Sequence, residues 1–170
     1  MKKGLERNVP AGIDYRTELR WIGNGLLAGF LFSIGFFTRF QSNYQALFHW
    51  NETGKTLKEY AVMPDFVYVL NYGLAGFLIL AVCMILLAAY HYAYHYMGSK
   101  SIYLMRRLPD RWALFRRCGT LPAIAVVCCL LAAFILLLCY YGFYMWVTPE
   151  ACLQPGQWQK IWMVWMGVRL

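Results

Sequence analysis

Charged residues are scarce in this sequence. Asp, Glu, Lys and Arg together make up 14% of the 170 residues, whereas hydrophobic residues make up 61%. A typical soluble domain carries about 25% charged residues, most of them on its surface. This shortage excludes an ordinary soluble protein, and we interpret the whole chain, residues 1–170, as a single membrane domain.

Three long segments lack charged residues altogether: residues 21–38, 66–99 and 118–149. A helix needs roughly 20 residues to cross the hydrocarbon core of a bilayer. Each segment therefore provides one crossing, and the longer two extend beyond the hydrocarbon. We place the second span at about 66–95 and the third at about 120–147. The predicted fold is all-α, with three transmembrane helices and short interfacial helices.

The basic residues predict the orientation of these helices. Five Lys and Arg residues precede the first span, and six lie in the loop of residues 98–119. Only three lie between the first two spans, and two lie in the tail, residues 148–170. Because cytoplasmic loops are enriched in Lys and Arg, we expect the N-terminus and the 98–119 loop inside. The expected location is the bacterial cytoplasmic membrane, as a multi-pass protein.

Two short segments have the pattern of interfacial helices. Residues 11–20 carry mixed charge and are expected to lie on the cytoplasmic surface before the first span. In the tail, Trp158, Trp162 and Trp165 recur at spacings of four and three, which places them on one side of a helix. We expect that helix in the outer interface; the alternative is the beginning of a further span. Pro122 is expected in the first turn of the third helix.

Small residues recur every four positions in the first span, at Gly25, Gly29 and Ser33. This spacing lets two helix backbones approach closely in lipid. The simple alternative is that small residues are common in membrane helices. We predict that this face packs on another helix.

Recognisable motifs for catalysis or ion transport are also missing. The predicted spans contain no Asp, Glu, Lys or Arg, although ion-coupled carriers normally depend on such residues inside the membrane. The sequence Gly54-Lys55-Thr56 resembles the end of a phosphate-binding loop, but that motif needs a glycine where this chain has His49. We therefore expect no catalytic residue, no cofactor and no enzymatic activity.

A histidine pair is the one arrangement that favours metal binding. His91 and His95 are four positions apart and would share a helix face. A protein-bound zinc ion usually needs three or four ligands, and the nearest carboxylate in sequence is Asp110. We therefore predict no metal and expect rings stacked with Tyr90 and Tyr94. A membrane-bound enzyme using the two histidines is the weaker alternative.

The 98–119 loop has a defined pattern of its own. It predicts a short helix over residues 101–107, a break at Pro109 and a second helix capped by Asp110. Ile102, Met105 and Leu108 form an apolar ridge on the first helix. Six basic residues in the loop are explained either by anchoring to anionic lipid or by docking to a cytoplasmic protein. The helix, proline and helix order favours docking.

This loop resembles the coupling loop of ABC-2-type exporter permeases, in which a small residue and a basic residue precede a leucine and a Leu-Pro sequence. The matching positions are Ser99, Ser101, Leu104, Leu108 and Pro109, with Arg106 and Arg107 beside them. The surface helix, the first span and the outward loop occur in the same order, so the resemblance covers residues 11–147.

The resemblance implies that the loop is a coupling helix seated in a cleft of an ATP-binding subunit. The residues expected to bind this partner are Ser101, Ile102, Leu104, Met105, Arg106, Arg107, Leu108 and Pro109. Such permeases commonly have six spans, so a three-span chain is expected to be a half-sized or accessory subunit. Its partners would be a cytoplasmic ABC ATPase, another permease subunit or second copy, and lipid, with no nucleic acid. The alternative is a scaffold or regulatory subunit of another membrane complex.

Overall fold

A computed structural model of the chain describes residues 15–51, 54–97 and 113–165, and these residues are mostly helical. Three helical stretches are long and apolar enough to cross a membrane: Arg16–Ala46, Ala75–Ala93 and Gly119–Val147. This confirms the prediction of a mostly helical chain with three helices of membrane-spanning length and composition.

The first spanning stretch consists of two helices joined by one tight turn. Helix α1 covers Tyr15–Ser33 and helix α2 covers Gly35–Ala46. The turn lies at Ile34, whose N–H donates to the carbonyl of Leu31 at 3.2 Å, as in a 3-10 turn. The predicted surface helix before residue 21 is not separate, because α1 runs through that position without a break. Charged side chains at the end of a spanning helix reach the headgroups. A helix start placed at the first uncharged residue therefore lies too far along the sequence.

A β-hairpin follows α2, which the all-α prediction missed. Strand β1, Phe48–Asn51, pairs antiparallel with strand β2, Gly54–Leu57. The second strand begins with a positive φ of 125° at Gly54, a conformation that favours glycine. Directly after the second strand, Lys58 Nζ donates to the carbonyl of Ala46 at 2.8 Å. That bond satisfies a carbonyl at the C-terminus of α2.

The second charge-free segment is not one continuous helix. A short helix α3, Phe66–Leu70, ends in a turn before helix α4 begins, and α4 covers Ala75–Met97. The turn contains Asn71 at a φ of 44° and Gly73, where an added Cβ would lie 3.0 Å from the carbonyl oxygen of Leu70. The second long helix therefore begins well after the predicted start at residue 66.

The third segment forms the longest helix, α5, which covers Ala113–Val147. Pro122 lies in its interior rather than in its first turn, so the predicted start of this helix was wrong. A 3-10 turn, Glu150–Cys152, and helix α6, Gln157–Trp165, complete the described chain. The tail helix was predicted from its tryptophan spacing, and it begins directly after Gly156.

The described chain divides into two compact units. The first contains residues 1–29 and 76–133. Within its described part, α1, α4 and α5 pack around buried apolar side chains. These side chains belong to Ile22, Met84, Leu121 and Ala125.

The second unit contains residues 30–75 and 134–170, and its core is aromatic. Phe36 stacks on Tyr140 with ring centroids 4.6 Å apart and planes within 15°. Phe66 contacts Phe36 and Tyr144 edge to face, at 6.0 and 5.5 Å. Stacked and edge-to-face aromatic pairs are favourable beyond the area they bury. These contacts hold α2, α3 and the end of α5 together.

Candidate functional site

Two glycines of α1 lie directly against α4 in the first unit. A Cβ added at Gly25 would lie 2.7 Å from Leu80 Cδ1, and one added at Gly29 would lie 3.3 Å from Phe77 Cε1. Both distances are shorter than ordinary van der Waals contact, so the side chains of α4 rest on the backbone of α1. This close approach is the geometry that small residues allow between membrane helices.

Replacing Gly29 by Leu should separate α1 from α4 and destabilise the protein by about 1–3 kcal/mol, the usual cost of overpacking. Gly23 is the matched control on the same helix, because an added Cβ there has no atom within 4 Å. Unfolding midpoints of the purified variants in detergent would measure the difference. Equal effects of Gly29→Leu and Gly23→Leu would contradict a packing face at Gly29.

Ser33, the third small residue of the predicted face, belongs to the second unit. Its hydroxyl donates to the carbonyl of Phe30 at 2.7 Å. A second buried contact of 2.7 Å joins Ser33 Oγ to Tyr140 Oη. Since the single proton of Ser33 is already used, Tyr140 is the donor in this contact. Ser33 therefore provides a hydrogen bond between α1 and α5 where polar partners are scarce.

An ionisable pair joins α1 to α4 in the first unit. Glu18 Oε1 lies 3.0 Å from His91 Nε2, and the two side chains are only 13% and 8% exposed. No carboxylate lies close to His91 in the sequence. His91 instead meets a carboxylate from another helix. No sequence signal identifies this partner, although a buried histidine requires one.

The pair is an ionisable contact between two helices that also pack through apolar groups. Ionisable residues between membrane helices are costly, and they usually mark functional positions. Within the part of the chain that the structure describes, no three His, Cys, Asp or Glu residues are grouped as a metal site. The ring of Tyr90 is tilted by 53° to that of His91, with centroids 6.2 Å apart, rather than stacked on it. The geometry thus supports a link between α1 and α4.

A polar clamp fixes the tail helix in the second unit. Gln157 is 3% exposed; its Oε1 accepts from the N–H of Phe66 at 2.9 Å, and its Nε2 donates to Asp65 at 3.0 Å. Lys160 Nζ donates to the same carboxylate oxygen at 2.6 Å and to Gln154 at 2.9 Å. These bonds hold α6 against the start of α3.

The residues predicted to bind an ATPase, from Ser101 to Pro109, lie outside the described residues. Comparisons of the chain with protein-family models, curated proteins and solved structures found no match. A functional proposal therefore depends on the pattern of the loop and on the geometry of the helices.

Proposed function

We propose that this chain is a non-catalytic membrane subunit of an ABC-type export complex. In this proposal the loop of residues 98–117 couples the subunit to a cytoplasmic ATPase, and the spans pack with another permease subunit or a second copy. The chain supplies helices and a docking element, whereas the ATPase supplies the free energy of transport.

The exposure of the three spanning stretches is the observation that carries this proposal. Only 22%, 22% and 28% of their most apolar windows are buried within the chain. Large apolar side chains remain exposed on all three, including Leu27, Ile85 and Leu131. Such faces need lipid or the helices of partners around them. This supports a membrane subunit that assembles with other spans.

The charge distribution supports the placement of the coupling loop. Eleven of the 16 basic residues lie in the N-terminal segment and in the 98–119 loop. This asymmetry favours a cytoplasmic position for both segments, which is where an ATPase would meet them. The close packing of α1 on α4 at Gly25 and Gly29 gives a direct route from the loop to the first helix, since α4 leads into the loop.

Replacing Met105 and Leu108 by Ser should release the ATPase. Each apolar side chain contributes about 1.5–3 kcal/mol when buried, so the double variant should lose about 3 kcal/mol, roughly a hundredfold in affinity. Every basic residue remains in place, and membrane insertion should be unchanged. Co-purification of the ATPase with the tagged subunit, together with ATP hydrolysis by the complex, would measure the loss.

The matched control is Arg106→Gln with Arg107→Gln, which removes charge but keeps the apolar ridge. If this control loses the ATPase while the Met105 and Leu108 variant keeps it, the loop is an electrostatic anchor and the coupling proposal fails. Recovery of the chain with a different membrane protein and no ATPase would instead favour a scaffold or regulatory subunit.

A further inference from the structure

The inner side of the tail helix α6 carries the polar residues Gln157 and Lys160 beside the apolar Ile161, whereas Gln159 is exposed. Gln157 is buried and Lys160 points to Asp65, as described above. In contrast, Trp158 is 37% exposed and Trp162 is 49% exposed. The indole rings of these two residues meet edge to face at 5.9 Å and form an exposed aromatic surface.

Two adjoining exposed tryptophans are unusual on a helix that faces water. A helix on the surface of a soluble protein turns its apolar stripe to the core and its charges to the solvent. Tryptophan, by contrast, is enriched where membrane helices meet the headgroups. Helix α6 lies beside the last turns of α5, a candidate membrane span, where Trp146 is 86% exposed. The outer face of α6 therefore suits lipid better than water.

A cleft of about 500 Å³ opens between α5 and the tail. Its walls include Tyr141 and Met145 from α5, and Leu153 and Trp158 from the tail. The rings of Tyr141 and Trp158 are in edge-to-face contact, with centroids 5.2 Å apart. No charged side chain lines the cleft. An elongated apolar group fits such a lining, whereas an anion does not.

The side-chain amides of Gln154 and Gln157, which line the cleft, already form hydrogen bonds. Gln154 binds Lys160, and Gln157 binds Phe66 and Asp65. Lys160, the cation closest to the cleft in sequence, is paired with Asp65. Gln159 also lines the cleft, and it is exposed. The cleft thus combines apolar walls with an uncharged polar rim.

We propose that this cleft binds one membrane lipid with an uncharged or zwitterionic headgroup. The carbonyl end of an acyl chain lies against Met145, Leu153 and Trp158, and the ester or headgroup region contacts Gln159. This site rests on the proposed membrane placement, because α5 brings the cleft to the level of the outer headgroups.

Photolabelling tests the proposal. The full chain is reconstituted into phosphatidylcholine vesicles that contain a phosphatidylcholine with a diazirine near the carbonyl end of its acyl chain. After irradiation, mass spectrometry of the digested protein should place several-fold more label on Met145 and Trp158 than on the more exposed Trp146. Leu153→Phe, which fills the cleft, should remove this excess. Ile135→Phe is the control at an exposed position of α5, and it should leave the excess unchanged.

Three results would overturn the site. Label distributed according to exposure alone, and unaffected by Leu153→Phe, would show general lipid contact without a site. Label near Ile135 but none at the cleft would leave a membrane subunit whose tail faces water. An equal excess with phosphatidylglycerol carrying the same diazirine would contradict the selection against anionic headgroups. Absence of label from the entire chain would instead contradict the membrane placement on which the function depends.

Discussion

Replacing Tyr144 by Ala should destabilise the protein by about 3–5 kcal/mol, the range for removing a large buried aromatic ring. The side chain of Tyr144 has no exposed surface, and its ring packs edge to face on Phe40 and Phe66 at 6.1 and 5.5 Å. The loss would come from the cavity and the missing contacts of the ring. Unfolding free energies in detergent would give the value.

Two further variants separate the contributions. Tyr144→Phe removes only the hydroxyl, which donates to the carbonyl of Pro64 at 2.8 Å, and it should cost about 0.5–1.5 kcal/mol. Trp146→Ala removes a larger ring from the same helix, but that ring is 86% exposed, so stability should change little. If Trp146→Ala were as damaging as Tyr144→Ala, the aromatic core would not be what holds the second unit together.

The long helices were predictable because a helix needs about 20 mostly apolar residues to cross a bilayer. A charge-free run of sufficient length has few soluble alternatives, and each of the three such runs overlaps a helical stretch that is long and apolar enough to cross a membrane. Their ends were less predictable. Charges at Arg16 and Arg39 lie within the first helical stretch, and Asn71 and Gly73 interrupt the second run even though both are uncharged. A search for helix stop signals would have found the Asn-Tyr-Gly break.

Long-range polar contacts were not predictable from one sequence. Gln157 looks like an ordinary surface residue until α6 folds against α3, where its amide satisfies the N–H of Phe66 and the carboxylate of Asp65. The same holds for Tyr140, whose place in an apolar segment does not identify a polar partner; its hydroxyl donates a buried hydrogen bond to Ser33. Periodicity reports which face of a helix is apolar, but it does not report which polar group that face will meet.

The Glu18 and His91 pair should behave as a coupled unit. Glu18→Met alone leaves a buried histidine without its carboxylate, and His91→Phe alone leaves a buried carboxylate without its donor. Each should cost about 1–3 kcal/mol, the penalty for an unsatisfied buried polar group. The double variant replaces both partners with apolar groups of similar size, and it should recover most of this loss. The interaction free energy from this cycle is the quantity to measure, with Arg20→Met as the control at an exposed position of α1.

Additive costs in the two single variants would mean that Glu18 and His91 act independently, in contradiction to their 3.0 Å contact. The double variant also distinguishes stability from function. Buried ionisable groups between membrane helices are rarely retained for stability alone. Under the proposed function, we expect the double variant to fold and to bind the proposed ATPase, while transport-stimulated ATP hydrolysis by the complex falls. The reason is that the polar link between α1 and α4 would be lost, and α4 leads into the proposed coupling loop. If a stable double variant kept full activity, the role of the pair would be structural only.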